Sequence, residues 1–282
     1  MAPAALDAAC RSRAHRDTCR RPCRQHAGCD AGPETDETIG QSAPGTPPAA
    51  PSTAAPPAAT APLTPLIPAV DSSEPIQVIE YGDRGRQEIA LTFDADADRG
   101  YAAEILDLLR AEGIPASFGI MGQWAEAHPD LMQRMVDEGH MLFNHSWSHA
   151  SFTGATTETA PLSTDERREE VQRTEEVVRE LIGYELRPYF RPPYGDIDNG
   201  VLTDLAAIGY ERTLLWSCDS RDSLGATADE IIANCIDTAQ PGRIVLLHVG
   251  AQSAAYEALP RMIASLRGQG FAFVTVEQIL AP

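Results

Sequence analysis

The sequence contains no lysine: all 22 of its basic residues are arginine, set against 41 acidic residues for a formal net charge of −19. An acidic surface repels a phosphate backbone, so no nucleic-acid partner is expected, and the charge serves chiefly to keep the chain soluble. No run of about 18 apolar residues is present, so no integral membrane segment is expected either. Residues 1–10 offer Ala and Pro around an Asp. They lack the basic start, apolar run and small-residue cleavage site of an export signal. No internal repeat is found.

What is present falls into three textures. Residues 1–30 hold Cys10, Cys19, Cys23 and Cys29 with His15, His26 and six arginines, and have no apolar periodicity from which to build a core. Their spacings do not give the paired Cys-x-x-Cys pattern of a zinc site, so the segment reads as disordered, or as the product of a start codon placed too far upstream. Residues 42–70 are dominated by Pro, Ala and Thr, an extended linker of polyproline II character. The expected division is a tail and linker over 1–70 and a catalytic domain over 71–282.

Beyond the linker, short β-like runs alternate with stretches of helical period, the pattern of parallel strands joined by crossover helices. Strands are expected at residues 89–93, 116–120, 141–144, 189–191, 213–216, 243–248 and 271–275. Helices are expected at 101–112, 163–182, 200–208, 226–238 and 255–267, the second opened by the capping-box sequence Ser163-Thr164-Asp165-Glu166. The fold class is therefore α/β, a distorted (β/α) barrel of about seven parallel strands.

Barrel enzymes place their chemistry at the carboxyl ends of the strands, so the polar residues that end each apolar run matter most. Those are Asp94, His145 to His149, Arg191 to Gly195, Asp219 to Asp222, and His248. Two histidines four residues apart, such as His145 and His149, can face one metal ion. Neutral imidazoles with a carboxylate leave an open position at which water becomes a strong nucleophile. So many polar groups on one buried face argue for a hydrolytic site.

Five segments in this order resemble the polysaccharide deacetylases with a NodB homology domain, carbohydrate esterase family four: Thr92-Phe93-Asp94, His145-Ser146-Trp147-Ser148-His149, Arg191-Pro192-Pro193-Tyr194, Asp219-Ser220-Arg221-Asp222 and Leu246-Leu247-His248. The resemblance implies a metal-dependent hydrolase that removes acetyl groups from N- or O-acetylated polysaccharides such as peptidoglycan, chitin or an exopolysaccharide. Asp94 would be the general base and His248 the general acid. Arg191 would keep Asp94 ionised, and Asp222 would raise the pKa of His248 and orient its ring. The backbone N–H of Tyr194 would stabilise the oxyanion. The metal would be zinc, with Co, Ni or Mn compatible with the same ligands. Trp147, Tyr194 and Trp216 are candidate stacking surfaces for sugar, although rim aromatics more often pack than bind. Families of this kind act outside the cytoplasm, and the expected working form is a monomer.

The chain departs from the family pattern at two places. The first motif normally supplies a second Asp as third metal ligand, and Ala95 stands there. Asp96, Asp98 or water must replace it, and Asp98 is preferred because the turn at Gly100 could fold it back toward the histidines. In the fourth motif Ser223 replaces a Trp, which removes an apolar wall; Asp219 is the fallback for Asp222 if the loop is shifted. Cys218 and Cys235 read as buried, unreactive thiols, with a disulfide possible. Two other functions stay open: a non-catalytic sugar-binding barrel, and a hydrolase of a small non-peptide amide.

Overall fold

The computed structural model describes residues 76–96 and 98–282. The readings of the tail, the linker and the first four cysteines lie outside the described residues.

Among the described residues, nine parallel strands form one curled sheet. They are β1 (Gln77–Ile79), β2 (Glu88–Ala95), β3 (Ser117–Ile120), β4 (Met141–Asn144), β5 (Tyr189–Phe190), β6 (Arg212–Leu214), β7 (Cys218–Asp219), β8 (Arg243–His248) and β9 (Ala272–Phe273). Their order is β1-β6-β5-β4-β3-β2-β8-β7, with β9 also pairing with β2. The seven expected strands are all there, and β1 and the two-residue β7 add to them. Neither addition carries a buried apolar run: β1 is largely exposed and β7 is Cys218-Asp219.

The helices are α1 (Ala102–Glu112), α2 (Gly122–Ala127), α3 (Pro129–Asp137), α4 (Thr164–Ile182), α5 (Asn199–Ala207), α6 (Ala228–Ile231), α7 (Ala255–Gly268) and α8 (Val276–Leu280). Helix α4 begins as its sequence dictates: Ser163 accepts from the backbone of Glu166, and the Glu166 carboxylate reaches back to the Ser163 N–H. The expected helix over 226–238 is shorter in its α form, because α6 passes into a π-helical segment at Ile232–Ile236. No expectation covered α2, α3 or α8. The first two are separated only by His128, where Pro129 can begin a helix but cannot continue one.

Strand alternation sorts the side chains of β2. Ile89, Leu91, Phe93 and Ala95 belong to the apolar layer between the sheet and its helices, with Ile105, Leu109, Phe118 and Leu259. Ala90 instead joins Met141, Phe143, Leu214, Ile244, Val276 and Ile279 in a second core inside the curl of the sheet. Thr92 and Asp94 share that inner face, and both are buried. The apolar plug thus ends at Thr92, and the carboxyl end of the strand offers a polar floor.

Cys218 on β7 and Cys235 in the π-helical segment form a disulfide, with 5.6 Å between their Cα atoms. This corrects the reading of both as free buried thiols. The sequence could not reveal the pairing, because it depends on β7 and the helix meeting beside β8.

Candidate active site

Asp94 and His248 occupy paired positions at the ends of neighbouring strands β2 and β8. Arg191, which follows β5 and is fully buried, crosses the floor to donate from Nη1 to Asp94 Oδ1 at 2.8 Å and from Nη2 to Thr92 Oγ1 at 3.0 Å. Burial pushes the Asp94 carboxyl up, but the charge and hydrogen bond of Arg191, with the charge of His248, outweigh it and hold the pKa below the usual value. There is no room for a side chain beside this carboxylate. A Cβ on Gly119 of β3 would sit 2.5 Å from Asp94 Oδ1 and 2.7 Å from the Phe143 ring.

His248 is held by Asp222 at two points: ring Nδ1 lies 2.8 Å from Oδ1, and the backbone N–H donates to Oδ2 at 2.7 Å. Asp222 is fully buried and also accepts from Ser220 Oγ at 2.8 Å, Ser253 Oγ at 2.5 Å and the Ser223 N–H at 2.9 Å. Burial disfavours a charged His248, yet the hydrogen bond and charge of Asp222, helped by Asp94 and Asp96, raise its pKa to about 9. The arrangement keeps a carboxylate and an imidazolium side by side at neutral pH. Asp219 instead accepts from the Arg221 N–H at 2.8 Å, so the fallback is not the residue that meets His248.

His145 and His149 lie on the loop after β4; Ser146 (φ 67°) and His149 (φ 62°) are single residues in the left-handed region, and the two ring centroids are 4.9 Å apart, edge to face. His145 Nδ1 bonds to the Arg191 carbonyl at 2.8 Å, which leaves Nε2 as the free lone pair. That Nε2 is buried with no hydrogen-bond partner; Asp94 Oδ2 is 3.5 Å away but not in hydrogen-bonding geometry. Asp96 Oδ2 is 3.5 Å from His149 Nε2, and the ligand atoms of Asp96, His145 and His149 all lie within 4.8 Å of one another. Burial and the nearby His145 depress the pKa of His149 to about 3, so its ring is neutral and able to ligate. A buried, orphaned imidazole nitrogen beside a second imidazole and a carboxylate fits a divalent cation.

Asp98, the preferred third ligand, is not in that group. Its Oδ1 accepts from the Ala251 N–H at 3.0 Å and its carbonyl accepts from the Trp124 indole at 2.9 Å, so it ties the loop after β2 to that after β8. Ala95 faces the helices, whereas Asp96, one residue on, meets the histidines. The candidate stacking residues divide. Trp147 is buried beneath the Arg173 guanidinium, 3.6 Å from its ring centre, so it packs. Trp216 lies against Gly195. Tyr194, with φ 60°, is exposed and sets its ring edge-on to His149 at 4.6 Å. Sequence reasoning missed Ser253 and Glu170, whose contacts cross between elements and leave no local motif, and Ser220, which bonds Asp222 two positions away within the fourth motif.

A family model described as polysaccharide deacetylase matches residues 81–213. A peptidoglycan-N-acetylglucosamine deacetylase of Bacillus cereus is 33% identical over 69% of this chain and 69% of its own length. The peptidoglycan-N-acetylmuramic acid deacetylase PdaA of Bacillus subtilis is 32% identical over 71% of this chain and 73% of its own. The solved structure of PdaA, a family 4 carbohydrate esterase, superposes with a TM-score of 0.64 over 72% of this chain and 84% of that one, at 29% identity. A pseudoenzyme of the same family from Bacillus anthracis superposes with a TM-score of 0.65 at 25% identity, over 73% of this chain and 69% of its own. By sequence and by fold, the chain belongs to the polysaccharide deacetylases of carbohydrate esterase family four, hydrolases of carbon–nitrogen bonds other than peptide bonds.

Proposed function

We propose that this protein removes the N-acetyl group from sugars of peptidoglycan, with Asp94 as general base and His248 as general acid. The observation that carries the reading is the opposed pair itself: a carboxylate kept ionised by Arg191 beside an imidazolium kept protonated by Asp222. A binding module has no use for that separation of proton affinities, whereas hydrolysis of an amide needs both members.

Asp96, His145 and His149 would hold a divalent cation, zinc on grounds of ligand type, with Co, Ni or Mn able to take the same donors. Such a cation, when bound, supplies Lewis acidity and lowers the pKa of water. Asp94 takes a proton from the attacking water. The Tyr194 N–H donates to the oxygen that becomes negative as the carbonyl carbon turns tetrahedral. His248 then delivers its proton to the sugar nitrogen as the carbon–nitrogen bond breaks, and acetate and a free amine leave. Arg191 and Asp222 do not exchange protons; they hold base and acid in their ionised forms.

The catalytic domain is taken as residues 71–282, working as a monomer behind the segment 1–70. An extracytoplasmic setting is supported by the Cys218–Cys235 disulfide, which a reducing compartment would not maintain. No helix among the described residues is long and apolar enough to cross a membrane.

A second reading, sugar binding without turnover, is favoured by Ala95 and by the likeness to a pseudoenzyme. Acetate release from acetylated peptidoglycan and from chitooligosaccharides, by the chelated protein and after adding zinc or cobalt, separates the two. Metal-restored release that His145→Ala abolishes supports the deacetylase. Saccharide binding with no release under any metal supports the second reading.

A further inference from the structure

The loop that carries the histidine pair does not hold itself. Ser146 and His149 both adopt left-handed backbone, which side-chain-bearing residues avoid unless their surroundings impose it. Part of that imposition is local: Asn144 Oδ1 accepts from the Ser146 N–H at 2.9 Å, and Ser146 Oγ accepts from the His149 N–H at 3.2 Å. The rest comes from α4. The carboxylate of Glu170 accepts the Trp147 N–H at 3.0 Å and the Ser148 N–H at 2.8 Å on one oxygen, and Ser148 Oγ at 2.8 Å on the other. One side chain thereby fixes two of the three residues between the histidines, Trp147 and Ser148. Three residues further along the helix, the Arg173 guanidinium covers the Trp147 ring, which also occupies the space that a side chain on Gly122 would need.

We propose that Glu170 is a positioning residue for the metal-ligating pair, holding the backbone between His145 and His149 so that their free ring nitrogens converge with Asp96. The inference rests on the metal reading given above. A carboxylate suits the task because an ionised acceptor makes stronger bonds to N–H donors than a neutral one, and its two oxygens can be shared among three donors. Glutamine can keep one oxygen on the two N–H donors and turn its NH2 to the Ser148 hydroxyl oxygen, but it loses the charge that strengthens the bonds.

The test is zinc affinity of the full chain, by competition with a chromophoric chelator, together with the visible absorption of the cobalt form. Glu170→Ala and Glu170→Gln are compared with wild type, with Ser163→Ala as a control for stability. That control removes the cap of the same helix without touching the loop, so its melting temperature falls while its zinc affinity stays unchanged. Loss of groups that orient metal ligands lowers affinity about 10- to 100-fold, and about tenfold is expected for Glu170→Ala, with an altered cobalt spectrum. Glu170→Gln is expected to lie between it and wild type. Affinity equal to wild type in Glu170→Ala overturns the inference; if that variant does not fold, Glu170→Met, of similar length but without acceptor oxygens, carries the same comparison. If Ser163→Ala weakens zinc binding as much as the Glu170 variants do, the effect is helix stability and the positioning role is overturned. Wild type that binds no zinc or cobalt overturns the metal reading, and this inference with it.

Discussion

Asp222 meets His248 twice, at the ring through Oδ1 (2.8 Å) and at the main chain through Oδ2 (2.7 Å), so one buried carboxylate fixes both the charge and the place of the proposed acid. The raised pKa of about 9 means that His248 stays protonated through neutrality. Turnover is expected to fall as pH rises through about 9. In Asp222→Asn the alkaline limb should move down toward the ordinary histidine value, and the rate above neutrality should drop about 100-fold. The stability sign follows from the same shift. The pair contributes fully below the unfolded-state pKa of 6.5, and its contribution is lost as pH rises through the folded value near 9. Rate and thermal denaturation measured across pH for both proteins check this; an alkaline limb that stays put in the variant counts against the pairing.

Arg191 acts on the other limb. Its replacement by Met removes the cation that holds Asp94 below the usual carboxylate range, so the acid limb of the pH–rate profile should move to higher pH. A buried carboxylate left without its partner also costs about 3–5 kcal/mol of stability. Urea denaturation and the pH profile of the same variant test both statements.

Asp96 and Asp98 should separate by metal affinity. Asp96→Ala is expected to lose zinc binding, whereas Asp98→Ala should retain it and lose only the tie to Ala251. Ala95→Asp, which restores the usual family residue, should not strengthen the site. Position 95 lies in the apolar layer under the helices, where an unpaired carboxylate is costly to bury. Equilibrium dialysis on the three variants decides among them.

Gly119→Ala probes the space around the base. The new methyl would press on Asp94 Oδ1 and on the Phe143 ring, so about 1–3 kcal/mol of stability and most of the activity should be lost together. Normal turnover in this variant would mean that the Asp94 carboxylate has room to move, contrary to the packing described.

The Cys218–Cys235 disulfide closes a segment with a sequence separation of 17 and joins β7 to the helix beside it. Reduction is expected to lower stability by about 3 kcal/mol, read as a drop in melting temperature under dithiothreitol. Cys218→Ser with Cys235→Ser should match the reduced protein and no longer respond to reductant.

The sequence made legible what is written locally. Apolar runs ending in Asp94, in His145 to His149, in Arg191 and in His248 located strand ends, and the ordered motifs identified the family. The capping box of α4 was visible because all its partners lie within four residues. What escaped depends on distant encounters: Ser253 reaching Asp222 across 31 positions, Glu170 reaching back 22 to the histidine loop, and the disulfide. The preference for Asp98 over Asp96 departs from the group that the structure brings together for a different reason. Reach was weighed there, while the alternation along β2 was not carried one residue past its end.

That alternation has an evolutionary consequence. Asp94 and Asp96 are two positions apart, and Ala95 between them faces the opposite way. The end of β2 therefore works as a reading frame of two. A single-residue insertion or deletion just before Asp94 would turn both carboxylates toward the helices at once, while an in-step slip of two would keep the parity. In this chain position 95 is confined to a small apolar side chain, and the two carboxylates stay on one face only while the spacing between them is kept at two.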